Sequence, residues 1–200
     1  MGQIKRGALI VFEGVDKSGK STHCKKLVEA LENFKIKAKF MSFPDRSTLT
    51  GKLIDNYLRN KECQLDDHAI HLLFTANRWE KVDQIKSLLN DGVTLIVDRY
   101  SYSGIVYSAV KKNMDLNWCK QPEIGLPKPD MVFLLSISQE EIMVRPGFGS
   151  ERYEHREMQE KVADMYLQLS RECDNWEVIN TARSIEDVQD RTCEEMCREN

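Results

Sequence analysis

Five short apolar runs alternate along the chain with longer stretches of helical periodicity. The runs cover residues 8–12, 38–43, 93–97, 131–137 and 176–179. The first run lies between Gly7 and Gly14, and an apolar run bounded in this way is typical of a strand buried on both faces. Strands that are buried on both faces belong to parallel sheets covered by helices.

The helical periodicity follows the apolar runs. From Ser21 onward, apolar residues recur at the spacing of an amphipathic helix, at Cys24, Leu27, Val28, Leu31 and Phe34. Residues 68–90 carry the same periodicity and are predicted to form one long helix that ends before Gly92. Residues 157–173 and 184–197 are predicted to be helices too. Strands that alternate with helices predict an α/β fold with right-handed crossovers.

The composition limits the number of domains and the classes of partner. The 200 residues are 41% hydrophobic and 30% charged, which predicts a single globular domain. No apolar run is long enough to span a bilayer or to form a signal-peptide core, so we expect no membrane partner. The net charge of −3 argues against general binding to nucleic acid. Six cysteines without a signal peptide favour a reducing compartment, so we expect the cytoplasm, with the nucleus left open as a further location.

A phosphate-binding loop follows the first predicted strand. Residues 14–21, GVDKSGKS, match the pattern G-x-x-x-x-G-K-[ST] between a strand and a helix. The glycines let backbone N–H groups surround phosphate oxygens, and the helix N-terminus adds partial positive charge. Lys20 can reach the β- and γ-phosphates, and the Ser21 hydroxyl can bind Mg²⁺. The segment therefore predicts a nucleoside triphosphate site.

A second chemical motif follows the third predicted strand. Asp98 is placed to hold the water shell of Mg²⁺, and Arg99 is placed to clamp a second phosphate. No guanine-reading NKxD or DxxG motif stands in a usable place, which argues against a GTPase. The combination predicts phosphoryl transfer to an acceptor that is itself a phosphate. Such an acceptor is already anionic, so the site must align two anions and exclude water, and it needs no general base.

Basic residues in several loops are candidates for neutralising these phosphates, namely Lys17, Lys20, Arg46, Arg78, Arg99, Arg145 and Arg152. Residues 138–155 are predicted to be a mobile lid, because Pro146, Gly147 and Gly149 interrupt regular structure there. A lid that closes over the phosphates would expel water and prevent ATP hydrolysis.

Several sequence blocks in this order make the chain resemble eukaryotic thymidylate kinases (dTMP kinases) over essentially its whole length. The blocks are the phosphate loop, FPDR at 43–46, ANRWE at 76–80 and DRY at 98–100. The resemblance implies a P-loop kinase fold, with a central five-stranded parallel sheet flanked by helices and a short mobile lid. It implies one domain over residues 1–200, with the P-loop at 14–21, the acceptor region at about 43–107 and the lid at about 138–155. It also implies Mg²⁺-dependent transfer of the γ-phosphoryl group of ATP to dTMP, in dTTP synthesis, by a homodimer.

The resemblance also implies residue roles. Asp16 reaches the deoxyribose 3′-hydroxyl, Arg46 and Arg99 hold the 5′-phosphate, Phe74 stacks on thymine and Arg78 donates to a base carbonyl. The residues assigned to dTMP are Asp16, Phe43, Arg46, Phe74, Arg78, Arg99, Ser103, Gly104, Tyr107, Tyr153 and Gln159. Those assigned to ATP are Gly14, Asp16, Lys17, Ser18, Gly19, Lys20, Ser21, Thr22, Arg145 and Arg183. The catalytic set is Lys17, Lys20, Asp98, Arg99 and Arg145, and the Mg²⁺ ligands are Ser21 and Asp98.

One departure from the family and two alternatives qualify this interpretation. Lys17 stands where eukaryotic members usually carry arginine, so either Lys17 or Arg145 is the main cation at the transferred group. We expect replacement of Arg145 to cost more turnover. One alternative is a nucleoside monophosphate kinase that also accepts dUMP or dGMP. The other is a P-loop module that senses nucleotides without catalysis.

Overall fold

The computed structural model describes residues 6–182 together with Glu186 and Thr192. Five strands lie in one parallel sheet: β1 (Leu9–Glu13), β2 (Ala38–Ser42), β3 (Thr94–Asp98), β4 (Met131–Ser136) and β5 (Trp176–Asn180). Their order across the sheet is β2-β3-β1-β4-β5. The central strand pairs Val11 with Val97 of β3 and with Val132 of β4. The predicted α/β class and the five-stranded parallel sheet are confirmed.

The helices cover both faces of the sheet. They are α1 (Lys20–Asn33), α2 (Leu49–Arg59), α3 (Asp67–Trp79), α4 (Val82–Asn90), α5 (Ser101–Ala109), α6 (Leu116–Lys120), α7 (Gln139–Met143) and α8 (Arg156–Ser170). A short 3₁₀ turn, Gln121–Glu123, follows α6. Among the described residues, no helix is both long and apolar enough to cross a membrane.

The core forms two layers because successive residues of a strand point to opposite faces. Leu9 and Val11 of β1 belong to one apolar cluster, which includes side chains of α4, α5 and α8. Ile10 and Phe12 belong to the other cluster, which includes side chains of α1. All five residues of β1 are buried, so the loop that follows it starts from a fixed position at the carboxyl edge of the sheet.

The prediction of one long helix over residues 68–90 is wrong. The chain forms α3 and α4, which are separated at Glu80 and Lys81. Apolar periodicity continues across the break, but the polar side chains at the joint bind elsewhere. Glu80 accepts hydrogen bonds from Thr50 (2.7 Å) and Asn77 (2.9 Å), and Lys81 pairs with Asp45 at 2.8 Å. These contacts tie the joint to the loop after β2.

The segment 138–155 contains more regular structure than the sequence predicts. Ser138 and Glu141 form a capping box that starts α7, and the helix ends before Pro146 and Gly147. The mobility of this segment remains a prediction. The helix expected at 184–197 lies outside the described residues, apart from Glu186 and Thr192.

Candidate active site

The phosphate loop joins β1 to α1 through two glycines that side chains would disturb. Gly14 has a φ of +138°, and a Cβ there would lie 2.5 Å from the carbonyl oxygen of Leu135. Gly19 has a φ of +95° and starts α1, so the loop turns sharply over the helix N-terminus. Lys20 is 5% exposed and its Nζ donates to the Val15 carbonyl at 2.6 Å. Burial, assisted by Arg99, lowers the pKa of Lys20 to about 8.

A hydroxyl and a carboxylate meet at the mouth of this loop. The Ser21 hydroxyl donates to Oδ2 of Asp98, which comes from the end of β3. Oδ1 of Asp98 is buried and has no hydrogen-bond partner within the part of the chain that the structure describes. A buried carboxylate oxygen without a partner is costly unless a cation or water meets it. This donor set fits Mg²⁺, which prefers oxygen ligands and retains several waters.

Arg99 lies between the phosphate loop and the neighbouring cavity at the carboxyl edge of the sheet. The residue has a φ of 65°, in the left-handed region, which turns its side chain back over the loop. Its guanidinium donates to Asp16 at 2.5 Å, to the Gly14 carbonyl at 3.0 Å and to the Ser103 hydroxyl at 3.1 Å. Burial raises the pKa of Asp16, but the charges of Arg99 and Lys20 and the hydrogen bonds from Gln159 and Tyr107 together lower it below its ordinary 3.8. Asp16 is therefore a fixed, ionised carboxylate.

Two cavities lie at the carboxyl edge of the sheet. The first, of about 420 Å³, is lined by predicted acceptor residues, namely Asp16, Phe43, Arg46, Phe74, Arg78, Arg99, Ser103, Gly104, Tyr107 and Tyr153. The second, of about 480 Å³, is lined by predicted ATP residues, namely Asp16, Lys17, Gly19, Lys20, Ser21, Thr22 and Arg145. We call the residues that line both cavities the junction: Asp16, Ser21, Arg46, Asp98, Arg99 and Glu151. The two cavities therefore adjoin at these six residues.

Some predicted site residues act through neighbours and do not line either cavity. Gln159 is fully buried, donates to Asp16 Oδ2 at 2.7 Å and accepts from the Asp16 backbone at 2.8 Å. Ser18 is also buried, and its hydroxyl accepts from Lys20 at 3.2 Å. Gly14 contributes its carbonyl to Arg99. Arg183 lies outside the described residues.

The basic residues around the cavities divide into two groups. Arg145 faces the phosphate loop, where its Nη1 donates to the Lys17 carbonyl, and Lys17 Nζ lies 3.6 Å from Glu154. Arg152 differs from its expected place near the phosphates. Its guanidinium donates to the carbonyls of Tyr57 (2.9 Å), Asn60 (2.9 Å), Lys61 (3.2 Å) and Cys63 (2.7 Å). Tyr57 lies in the last turn of α2, and the other three residues follow the end of that helix. Arg152 thus caps α2 and lines neither cavity.

Arg46 is paired with carboxylates at the junction. One nitrogen of its guanidinium pairs with Asp55 of α2, and another lies 2.8 Å from Glu151 of the lid segment. An acceptor phosphate at this position would pair with Arg46 either together with Asp55 and Glu151 or in their place. Sequence reasoning identified Arg46 but missed both carboxylates, because no local pattern marks an acidic residue as a partner of a distant arginine.

Asn77 is a further residue whose role the sequence did not show. Its amide nitrogen donates to the Asp45 carbonyl at 3.2 Å and to Thr48 at 3.0 Å, and its amide oxygen accepts from the Asp45 backbone at 2.7 Å. The amide therefore holds the loop that carries Arg46. The sequence does contain a signal that could have identified Asn77, because the residue lies inside the ANRWE block.

Ser103 has a structural task besides its predicted contact with the base. Its hydroxyl donates to Glu13 at 2.5 Å and lies 2.8 Å from the Tyr166 hydroxyl. The same Glu13 carboxylate accepts the backbone N–H groups of Tyr100 (2.9 Å) and Ser103 (3.1 Å). Glu13 thereby caps α5 and fixes the turn that carries Arg99.

The arrangement of these residues around the two cavities defines a class of protein. A triphosphate held by residues 14–21 would direct its terminal phosphate towards the junction, where Arg46 and Arg99 also line the acceptor cavity. The fold and the site are therefore those of a P-loop kinase that phosphorylates a small phosphorylated acceptor.

Comparisons with known proteins identify the family. The family model described as thymidylate kinase matches residues 12–192. Thymidylate kinase from Homo sapiens is 48% identical over 187 residues, which cover 93% of this chain and 88% of the relative. The Arabidopsis thaliana enzyme is 52% identical over 184 residues, covering 92% and 68%. A solved thymidylate kinase structure from Candida albicans superposes with a TM-score of 0.90 at 39% identity, covering 97% of this chain and 92% of that one. The chain belongs to the thymidylate kinase family, and its activity is ATP-dependent phosphorylation of dTMP.

Proposed function

We propose that Mg²⁺–ATP occupies the cavity lined by the phosphate loop, that dTMP occupies the cavity lined by Phe74 and Arg78, and that the γ-phosphoryl group crosses at the junction. The observation that carries this proposal is that six residues line both cavities, which places the two cavities side by side. Ser21 and Asp98 would hold the Mg²⁺, which neutralises charge on the transferred group when it is bound.

The cations around the junction perform the main catalytic task. Two anions must approach each other, so electrostatic stabilisation and alignment dominate the chemistry. Lys20 is the first residue of α1, Arg99 directly follows β3, and Arg46 lies on the loop that Asn77 holds. We assign the main cation at the transferred group to Arg145, because its planar guanidinium can contact two oxygens whereas the Lys17 ammonium is a point charge.

The acceptor cavity has the chemistry of a pyrimidine deoxynucleotide site. Phe74 offers an apolar ring to a base face, and Arg78 offers only donors, which suit a carbonyl. Tyr153 packs its ring on Tyr107 at 5.7 Å and edge-on to Tyr57 at 6.2 Å, which makes a fixed aromatic wall. We assign this wall to the side of the sugar that excludes a 2′-hydroxyl, and Asp16 to its 3′-hydroxyl.

Product formation with separate acceptors tests the proposal. The enzyme is supplied with ATP and Mg²⁺ and with dTMP, dUMP, dGMP, dCMP or UMP in turn, and the diphosphate is quantified by chromatography. We expect dTMP to be preferred and chelation of Mg²⁺ to abolish the product. A broader acceptor range is the second candidate, because the Candida albicans relative is described as having broad substrate specificity. Equal rates for dTMP and dGMP would establish it. Tight ATP binding without any product would instead indicate a nucleotide-sensing module.

We also propose that two chains associate through α2 and α3. On α3, Leu72 is 47% exposed and Trp79 is 40% exposed, and Ala76 lies exposed between them at helical spacing. On α2, Leu49 and Leu53 are 82% and 56% exposed. Such an apolar surface favours a protein interface. Sedimentation equilibrium should give twice the mass of one chain, and Leu72→Glu should lower it to that of a monomer.

The cytoplasm is the proposed location, with the nucleus as a further one. Four cysteines in the described residues are free thiols, which suits a reducing compartment. Fractionation of cells followed by immunodetection tests this, and recovery in a secreted or periplasmic fraction would contradict it.

A further inference from the structure

Glu123 holds the guanidinium of Arg78 on one side of the acceptor cavity. The Arg78 side chain is 2% exposed, and that of Glu123 is 5% exposed. Arg78 Nε donates to one carboxylate oxygen at 2.8 Å, and Nη2 donates to the other. Thr75 donates to the second oxygen at 2.6 Å. A buried guanidinium is strongly destabilising without such a partner, so the pair behaves as one unit.

The turn that presents Glu123 is itself anchored by the residue after Arg78. The indole nitrogen of Trp79 donates to the Pro122 carbonyl at 2.8 Å. The Trp79 ring also packs against Gly125, where a Cβ would lie 3.1 Å from the ring. Successive residues of α3 therefore fix the turn and its carboxylate together.

A glycine of α5 lies directly against the guanidinium. A Cβ at Gly104 would lie 2.3 Å from Nη2 of Arg78 and 3.0 Å from Cζ. Because Nη2 both donates to Glu123 and abuts Gly104, the guanidinium has little freedom to rotate.

One nitrogen of Arg78 is left for a ligand. Nε and Nη2 are committed to Glu123 and Thr75, whereas Nη1 makes no hydrogen bond within the described part of the chain. Arg78 lines the acceptor cavity beside Phe74. Because arginine has only donors, a base with a carbonyl at this edge is accepted and a base with an amino group there is refused.

We propose that Glu123 is a positioning residue that sets the preference of the enzyme for thymine over cytosine, by fixing which edge of Arg78 faces the base. The inference rests on the proposed dTMP kinase function and adds a residue to it. Without the carboxylate, the guanidinium turns towards other acceptors and its donors no longer meet the thymine carbonyl.

The test compares Glu123→Gln with the wild-type enzyme and with Glu172→Gln as the matched control. Glu172 also pairs with a basic residue, Lys120 at 3.4 Å, but its side chain is 46% exposed and does not line the acceptor cavity. The glutamine amide keeps the size of the side chain, but it carries no charge and replaces one of the two acceptor oxygens with an NH₂ donor. We expect KM for dTMP to rise about tenfold and the preference for dTMP over dCMP to fall about tenfold. We expect kcat and the KM for ATP to change less than about twofold, and Glu172→Gln to match the wild type.

A merely structural role gives a different result. The inference would be overturned if Glu123→Gln lowers the melting temperature but leaves the KM for dTMP and the dTMP-to-dCMP preference unchanged. It would also be overturned if only kcat falls. If Glu123→Gln is not recovered folded, Glu123→Asp, which keeps the charge but shortens the reach, is judged by the same criteria. Absence of dTMP phosphorylation in the wild-type enzyme would instead refute the proposed function.

Discussion

Raising the pH should weaken ATP binding through a single lysine. Lys20 is almost fully buried, and burial, followed by Arg99, lowers its pKa from 10.5 to about 8 against the opposing charges of Asp98, Asp16 and Glu13. In the unfolded chain Lys20 keeps its proton until about pH 10.5. Below pH 8 it is protonated in both states, and burying the ammonium then costs the folded state about 3 kcal/mol of stability. That cost disappears as the pH rises from 8 to 10.5, and the contribution of Lys20 to stability increases over this window.

A bound triphosphate counteracts the lowering of the Lys20 pKa. Phosphate oxygens favour the charged ammonium, so the Lys20 pKa rises when ATP binds. At pH 8.5 about three-quarters of a proton should be taken up per ATP, and above pH 8 the affinity should fall about tenfold per pH unit. At pH 7.0 the uptake should be about one-tenth of a proton, because Lys20 is already protonated. The thiol of Cys119, whose pKa burial raises to about 11, does not titrate in this range.

Calorimetry measures this proton directly. A non-hydrolysable ATP analogue with Mg²⁺ is titrated into the enzyme at pH 7.0 and 8.5, in buffers that differ in ionisation enthalpy. Lys20→Arg is the control, because its guanidinium stays charged and should remove the uptake while preserving positive charge. A wild-type enzyme that takes up no proton at pH 8.5, or the same uptake in Lys20→Arg, would refute the reasoning.

Other substitutions separate the roles of the remaining residues. Arg145→Ala should lower kcat by about tenfold more than Lys17→Ala, and equal losses in steady-state assays would contradict this ranking. Asp98→Asn should raise the Mg²⁺ concentration needed for half-maximal activity by about tenfold, whereas an unchanged Mg²⁺ titration would remove Asp98 from the metal site. Asn77→Ala should raise KM for dTMP through Arg46 and destabilise the fold by about 2 kcal/mol in urea unfolding. A stability loss without any change in KM would show that the loop does not need Asn77 to present Arg46.

The sequence predicts the elements whose signal is local. Each strand appears as a short apolar run, and the phosphate loop and Asp98 follow such runs directly. The break between α3 and α4 leaves no such signal, because apolar periodicity continues across Glu80 and Lys81 while their polar side chains bind a loop about 30 residues earlier. Apolar periodicity shows which residues are buried. It does not change when a helix breaks and changes direction while the same side stays buried.

Candidate site residues follow the same rule. The basic residues could be named from the sequence, but their partners could not. Arg152 was grouped with the phosphate-binding cations, yet it caps α2, because its charge alone does not show that backbone carbonyls surround it. Glu123 was not identified, because a glutamate in a turn 45 residues beyond Arg78 has no pattern that joins the two.

Binding of one molecule that carries both nucleosides tests the central claim most directly, which is that the two cavities form one reaction site. The probe joins adenosine and thymidine through a chain of phosphates that spans the junction. We expect one probe to bind per enzyme chain, to be displaced by ATP and by dTMP alike, and to bind more tightly than either substrate. Displacement by only one of the two substrates, or two probes bound per chain, would contradict it.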